Sequence, residues 1–357
     1  MHPPVDRHSL LVTRVRHLTD WTDLPDRAWE ACLDRARWHR GHPAWTRAAA
    51  GRALGLLFFN PSLRTRASMD VAAAALGAHA VTLTPGQGTW ALEWRDGVAM
   101  EGEAAEHVRE AVGVLSRYVA ALGVRTFATL ADREADHADA AFRACVAASE
   151  VPVVNLESAR WHPCQALADA AAITDTLGDP RGKRFVLSWA PHPKALPRAV
   201  PNSAVVMAAR LGMEVVVARP PGFGLDADVL DLARAAAVRS GGSVTESEDQ
   251  HGALAGAHVV YAKAWSGGAV YDDPSAEATQ RARHADWRIT EAALGRTAGA
   301  AFMHCLPVRR GVVVDGDVLD GPRAVHRLQA EYRLHAQKAV LEWVWGLPTD
   351  TDRPARA

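Results

Sequence analysis

Lysine is nearly missing from this chain: of forty basic residues only Lys183, Lys194, Lys263 and Lys338 are lysines, so each of them is informative. An excess of either charge is missing too. Forty Lys and Arg face forty-one Asp and Glu, a net charge of -1, which leaves no global field to hold nucleic acid or an acidic membrane. Any anion must therefore be bound locally. Cysteine is scarce, and Cys32, Cys145, Cys164 and Cys305 lie far apart without a paired framework, which excludes a disulfide scaffold and fits thiols in a reducing cytoplasm. The start of the chain shows no apolar stretch behind a basic one, and runs such as Leu54 to Phe59 and Val259 to Ala262 are too short to cross a bilayer. The expectation is a cytoplasmic protein with neither nucleic-acid nor membrane partners.

What is present is alternation. A chain of 357 residues exceeds what one core serves well, so two domains of roughly 150 to 170 residues are expected. After a polar tail, Asp26 to His39 reads as a helix and Leu54 to Phe59, bounded by Asn60-Pro61, as a buried strand. Then follow helix Arg64 to Leu76, strand His79 to Leu83, helix Ala104 to Ser116, strand Tyr118 to Val124, helix Asp132 to Ala148 and strand Val151 to Asn155. The pattern restarts at strand Arg184 to Trp189, with helix Ser203 to Leu211, strand Glu214 to Ala218, helix Ala227 to Arg239, strands Ser243 to Thr245, His258 to Lys263 and Ala300 to Met303, and a closing helix Ala324 to Trp345. Buried strands alternating with helices predict an α/β protein of two doubly wound parallel-sheet domains linked by helices. The first spans 1–160, completed by helix 324–346, and the second 161–323.

Three segments carry chemistry. Phe58-Phe59-Asn60-Pro61-Ser62-Leu63-Arg64-Thr65-Arg66 runs from a strand end through hydroxyl and guanidinium groups into a helix start, where free amides and a partial positive charge suit a phosphate. His162-Pro163-Cys164-Gln165 and His304-Cys305-Leu306-Pro307, followed by Arg309-Arg310, also come after strands, as does Arg125. Each has an ordinary reading by itself: a solvated helix start, a structural histidine, a turn, a surface arginine. All lie at the carboxyl ends of predicted parallel strands, where ligands bind in such sheets.

Together these segments resemble the aspartate and ornithine carbamoyltransferase family, with its Ser-x-Arg-Thr-Arg, His-Pro-x-Gln and His-Cys-Leu-Pro signatures in order, over about Thr19 to Gly346. The N-acetylornithine branch is the most similar, through Tyr261-Ala262-Lys263-x-Trp265 and Arg333-Leu334-His335-Ala336-Gln337-Lys338-Ala339. The resemblance implies transfer of a carbamoyl group from carbamoyl phosphate to an amine of an amino acid, with no metal or organic cofactor. Ser62, Leu63, Arg64 and Thr65 would hold the phosphate, with Arg333 on the same side; Arg125 and His162 would polarise the carbonyl. Gln165 and the Leu306 backbone would accept from the carbamoyl amide, and Glu157, His192, Lys263, Cys305 and Arg309 would face the amino acid, with Cys305 also at the reacting centre. Trp90 matches a tryptophan that reaches into the neighbouring subunit's site, which implies a homotrimer with shared sites.

Two departures fall on the acceptor side. Ala105 stands where the N-acetylornithine enzymes have a glutamate and the succinyl-specific ones a proline, and Val313 stands where the branch has a carboxylated lysine. A site stripped of polar groups no longer selects its old ligand strongly. The expectation is therefore a changed acceptor, such as 2,3-diaminopropionate in specialised or antibiotic metabolism, with N-acetylornithine as the conservative alternative. A non-catalytic carbamoyl phosphate-binding homologue is the reading from another class, against which intact Arg64, Arg125, His162 and Gln165 argue. A nicotinamide dehydrogenase is poorer still: Gly86-Gln87-Gly88-Thr89-Trp90-Ala91 lacks an acidic residue at the end of a following strand.

Overall fold

Continuous apolar runs form the strands in the computed structural model, which describes residues 15–348. The leading part of the polar N-terminal tail lies outside the described residues. The first unit contains α1 (Asp26–Gly41), β1 (Ala53–Phe58), α2 (Arg64–Ala75), β2 (His79–Leu83), β3 (Ala91–Glu93), β4 (Ala104–His107), α3 (Val108–Leu115), β5 (Ala121–Arg125), α4 (Arg133–His137), α5 (Ala140–Ala148) and β6 (Val153–Glu157). Its main sheet has the order β2-β1-β5-β6, all parallel, while β3 and β4 form a separate ribbon.

Helix α6 (Pro163–Leu177) leads to the second unit: β7 (Arg184–Trp189), α7 (Ala199–Arg210), β8 (Glu214–Ala218), α8 (Ala227–Ser240), β9 (Ser243–Ser247), α9 (Gln250–Leu254), β10 (Val259–Lys263), α10 (Pro274–Ala282), α11 (Glu291–Leu294), β11 (Ala301–Met303) and α12 (Gly316–Asp320). The sheet order is β11-β10-β7-β8-β9, again parallel. The long α13 (His326–Trp345) starts beside β11 and packs on α1, α2 and α6. Both sheets are covered on two faces, which is why β5 and β10 are buried along their whole length. No helix among the described residues is long and apolar enough to cross a membrane.

Several sequence expectations need correction. Ala104 to Ser116 is not one helix: Ala104–His107 is strand β4, and His107 then caps α3 by accepting from the Arg109 amide. Asp132 to Ala148 breaks in two at Asp139, whose φ of 56° lies in the left-handed region that aspartate tolerates. Its carboxylate accepts from Ser158 Oγ at 2.5 Å and the Ala159 amide at 3.0 Å, which holds the kink. Helix α6 goes unnoticed in the sequence because Pro163 to Ile173 is buried on every side, erasing the polar stripe that marks a surface helix. Helices α9 to α12 and strand β3 were not expected either. Elsewhere the ends shift: the strands assigned to Tyr118–Val124 and Val151–Asn155 are Ala121–Arg125 and Val153–Glu157, the helix placed from Ser203 begins at Ala199, and that from Ala324 at His326.

Strand register positions the chemistry. Phe58 partners Arg125 across β1 and β5, and Arg125 partners Glu157 across a bulge in β6, so three strand ends present their side chains along one edge. In the second sheet Lys263 at the end of β10 partners Trp189 at the end of β7.

Candidate active site

A cavity of about 410 Å³ lies where the carboxyl ends of the two sheets meet. It brings together Ser62, Leu63, Arg64, Thr65, Arg125, Glu157, His162, Gln165, His192, Lys263, Cys305, Leu306 and Arg333, residues spread over 272 positions of sequence (62 to 333, inclusive). Two residues singled out in the sequence do not line it. Arg309 stands at the rim, donating from Nε to His192 Nε2 at 3.0 Å. Trp90 is 59 % exposed in the loop before β3, where its indole N–H donates to Glu106 Oε2 at 2.6 Å. The apolar wall from Phe127, Leu196, Pro197 and Val200 had no signature, because apolar residues in a chain this rich in them carry no positional signal.

One end of the cavity is built for an anion. Ser62 Oγ accepts from the Thr65 amide at 3.2 Å, closing the first turn of α2, whose N-terminus faces the opening. Arg333, from α13, donates to Thr65 Oγ1 at 2.8 Å and to Gln165 Oε1 at 2.6 Å. Arg64 has no ion-pair partner among the described residues, and burial lowers its pKa, so its charge is partly desolvated and open to a ligand. Arg125, 7 % exposed, pairs through Nη1 with Glu157 Oε2 at 2.6 Å, while its Nη2 makes only a 3.5 Å contact to Pro61 O.

The histidines here are neutral. Burial, then the charges of Arg333 and Arg125, hold His162 well below its ordinary 6.5, although Glu157 Oε2 is 3.6 Å from its Nε2. His192 is lowered by burial and by Arg309, Lys263 and Arg281. Because arginine only donates, His192 Nε2 must accept from Arg309, which puts the ring proton on Nδ1, 2.9 Å from Lys194 O. Burial pushes the Cys305 thiol up to about 11, so it lines the cavity as a thiol rather than a thiolate. Lys263 Nζ donates to Ala264 O at 2.8 Å. Leu306 sits at a φ of 59°, a conformation that costs a leucine about 1–3 kcal/mol and is held by its amide donating to His304 Nδ1 at 2.8 Å.

Arg64, Arg125, Lys263 and Arg333 thus surround one carboxylate, Glu157, among the described lining residues. Such a cavity takes a dianion and a carboxylate together, and its fixed donors can stabilise charge that develops between them.

Comparison with known proteins agrees with this geometry. Residues 16–175 match the carbamoyl-P binding domain of aspartate/ornithine carbamoyltransferase, and residues 198–344 its Asp/Orn binding domain. N-acetylornithine carbamoyltransferase of Xanthomonas axonopodis pv. citri is 42 % identical over 82 % of this chain and 85 % of its own. N-succinylornithine carbamoyltransferase of Bacteroides fragilis is 36 % identical over 82 % and 86 %. A glutamate-to-alanine mutant of N-acetyl-L-ornithine transcarbamylase, solved with carbamyl phosphate and N-succinyl-L-norvaline, superposes with a TM-score of 0.89 at 38 % identity, covering 92 % of this chain and 99 % of the other. The chain belongs to the aspartate/ornithine carbamoyltransferase family and is a carbamoyltransferase acting on an amino acid, nearest in sequence to the N-acylornithine branch.

Proposed function

We propose that the acceptor is an N-acylated diamino acid, with N-acetylornithine and N-succinylornithine as first candidates, carbamoylated on its side-chain amine. The observation that carries this reading is that Glu157 is the one lining carboxylate among the described residues and is already paired with Arg125. A free diamino acid brings an α-ammonium, which the cavity has no spare anion to receive. Acylation removes that charge. 2,3-Diaminopropionate, favoured by the sequence departures, carries that charge and so ranks behind the acylated acceptors.

Those departures bear instead on the acyl group. Val313 is 2 % exposed within the core, and Ala105 lies exposed on β4, so neither adds a charge near the cavity. The relative solved with N-succinyl-L-norvaline has alanine in place of a glutamate, to which we match Ala105, and this supports tolerance of a longer, acidic acyl group.

In the reaction, Ser62, Leu63, Arg64, Thr65 and Arg333 hold the phosphate, Arg125 and neutral His162 donate to the carbonyl oxygen, and Gln165 and the Leu306 carbonyl accept from the carbamoyl amide. The neutral amine forms its bond to the carbonyl carbon, the carbon–oxygen bond to phosphate breaks, and the proton lost by the amine goes to the departing phosphate. Arg309 and Lys263 take the acceptor's carboxylate, His192 orients Arg309 by accepting from its Nε, and Cys305 lies beside them. Donors placed where charge grows lower the barrier, and holding both substrates supplies the rest.

The test is ureido product and phosphate release from carbamoyl phosphate with N-acetylornithine, N-succinylornithine, ornithine, 2,4-diaminobutyrate and 2,3-diaminopropionate. The acylated acceptors should be at least about 100-fold better in kcat/KM, a floor below the factor of about 10⁴ that leaving buried polar groups unpaired can reach. A faster free diamino acid overturns the proposal.

We also infer a homotrimer. What supports it is that Trp90 is exposed and does not line its own chain's cavity, with Leu63 and Tyr118 respectively 78 % and 70 % exposed on the same unit. Sedimentation equilibrium should give three times the 38.3 kDa chain mass; a monomer at working concentration rejects this.

A further inference from the structure

Asp169 does not itself line the cavity, yet two of its walls depend on it. It is fully buried on α6, one turn beyond Gln165, and its Oδ1 accepts from Gln165 Nε2 at 2.7 Å and from Gln329 Nε2 at 2.7 Å. Gln165 Oε1 is then turned toward Arg333, which donates to it at 2.6 Å. Gln329 Oε1 in turn accepts from the His304 amide at 3.0 Å, and His304 Nδ1 accepts from the Leu306 amide at 2.8 Å. One carboxylate oxygen therefore joins α6, α13 and the loop after β11. Neither glutamine can be reversed, because arginine and a backbone amide only donate and a carboxylate only accepts.

We propose that Asp169 is the positioning residue of the carbamoyl amide site, setting Gln165 directly and Leu306 through Gln329 and His304. This rests on the reading that those two residues accept from the carbamoyl amide. With Asp169 in place, the Gln165 carbonyl keeps a lone pair free for the amide, and the Leu306 carbonyl holds its direction. Removing the acceptor leaves two buried amide groups without partners, and both glutamines must turn to find others.

The experiment compares carbamoyl phosphate, acetyl phosphate and inorganic phosphate as ligands. Acetyl phosphate carries a methyl group where the amide would be, so it reports the phosphate and carbonyl contacts alone. The wild-type protein should bind carbamoyl phosphate more tightly than acetyl phosphate; equal binding refutes the underlying assignment of Gln165 and Leu306, whatever Asp169 does. Asp169→Leu should weaken carbamoyl phosphate about ten-fold relative to acetyl phosphate, with inorganic phosphate little changed, while Asp169→Asn, which keeps an acceptor oxygen, should retain the preference. Equal weakening of all three ligands, or none, overturns the proposal. Asp169→Ser, whose hydroxyl is too short to reach both glutamines, is read in the same way if the leucine variant does not fold; failure of both to fold makes the role structural and also overturns it.

Discussion

Arg64 shows how much a single side chain can be asked to do. It sits at the N-terminus of α2, half-buried and with no ion-pair partner among the described residues, so its guanidinium is open to a ligand. Arg64→Ala should lower kcat/KM for carbamoyl phosphate about 100-fold, about 2.7 kcal/mol, the loss seen when a transition-state donor is removed. Steady-state kinetics beside a thermal melt checks this, and a variant with native kcat/KM removes Arg64 from the phosphate site. At this scale the sequence was most legible where neighbours in the chain are neighbours in space. Ser62, Arg64 and Thr65 share one loop and one helix start, and His162 and Gln165 share one turn. Asp169 and Gln329 were not noticed, although Asp169 lies on the same helical face as Gln165 four residues on, a signal that could have found it.

Elements were legible where burial leaves a period and obscure where it removes one. The apolar runs of β1, β7 and β10 are plain in the sequence, whereas α6, enclosed all round, and the break at Asp139 are set by neighbours. Close approach between elements is equally hidden. A Cβ on Gly242, in the turn between α8 and β9, would come 2.5 Å from Met213 O and 2.9 Å from Gly212 C, backbone that cannot step aside. Gly242→Ala should therefore cost about 1–3 kcal/mol, read as a lower urea midpoint with unchanged slope, and leave kcat/KM alone because the turn is remote from the cavity. An unchanged midpoint rejects that contact.

The whole molecule carries a pH dependence that no single element does. His17, His39, His162, His192, His304, His326 and His335 all have pKa values held below 6.5, burial being the first cause in each. On acidification below 6.5 the unfolded chain takes up protons that the folded chain refuses. This contribution to stability is therefore complete above 6.5 and is lost as the pH falls. Asp139 and Asp169, raised by burial to about 6, act oppositely: between 3.8 and about 6 it is the folded chain that binds the extra proton. Near pH 6 the two aspartates take up protons in the folded chain and offset part of this loss, so the window that isolates the histidines is the fall from about 7.5 to about 6.5, where the aspartates are still mostly ionised and the urea midpoint should drop. A midpoint that is flat or rising over that interval contradicts neutral buried histidines.

The sequence by itself determined the parallel α/β architecture, the family and the loop and turn that line one end of the cavity, because apolar period and contiguous motif are local properties that survive any packing. Only the tertiary structure decided that Glu157 is already held by Arg125, that Arg309 stands at the cavity's rim on His192 while Trp90 does not line its own chain's cavity, and that Asp169 joins two of its walls. Each of those facts depends on which distant segments meet, and what a buried charge can still bind is fixed by the partner it finds there.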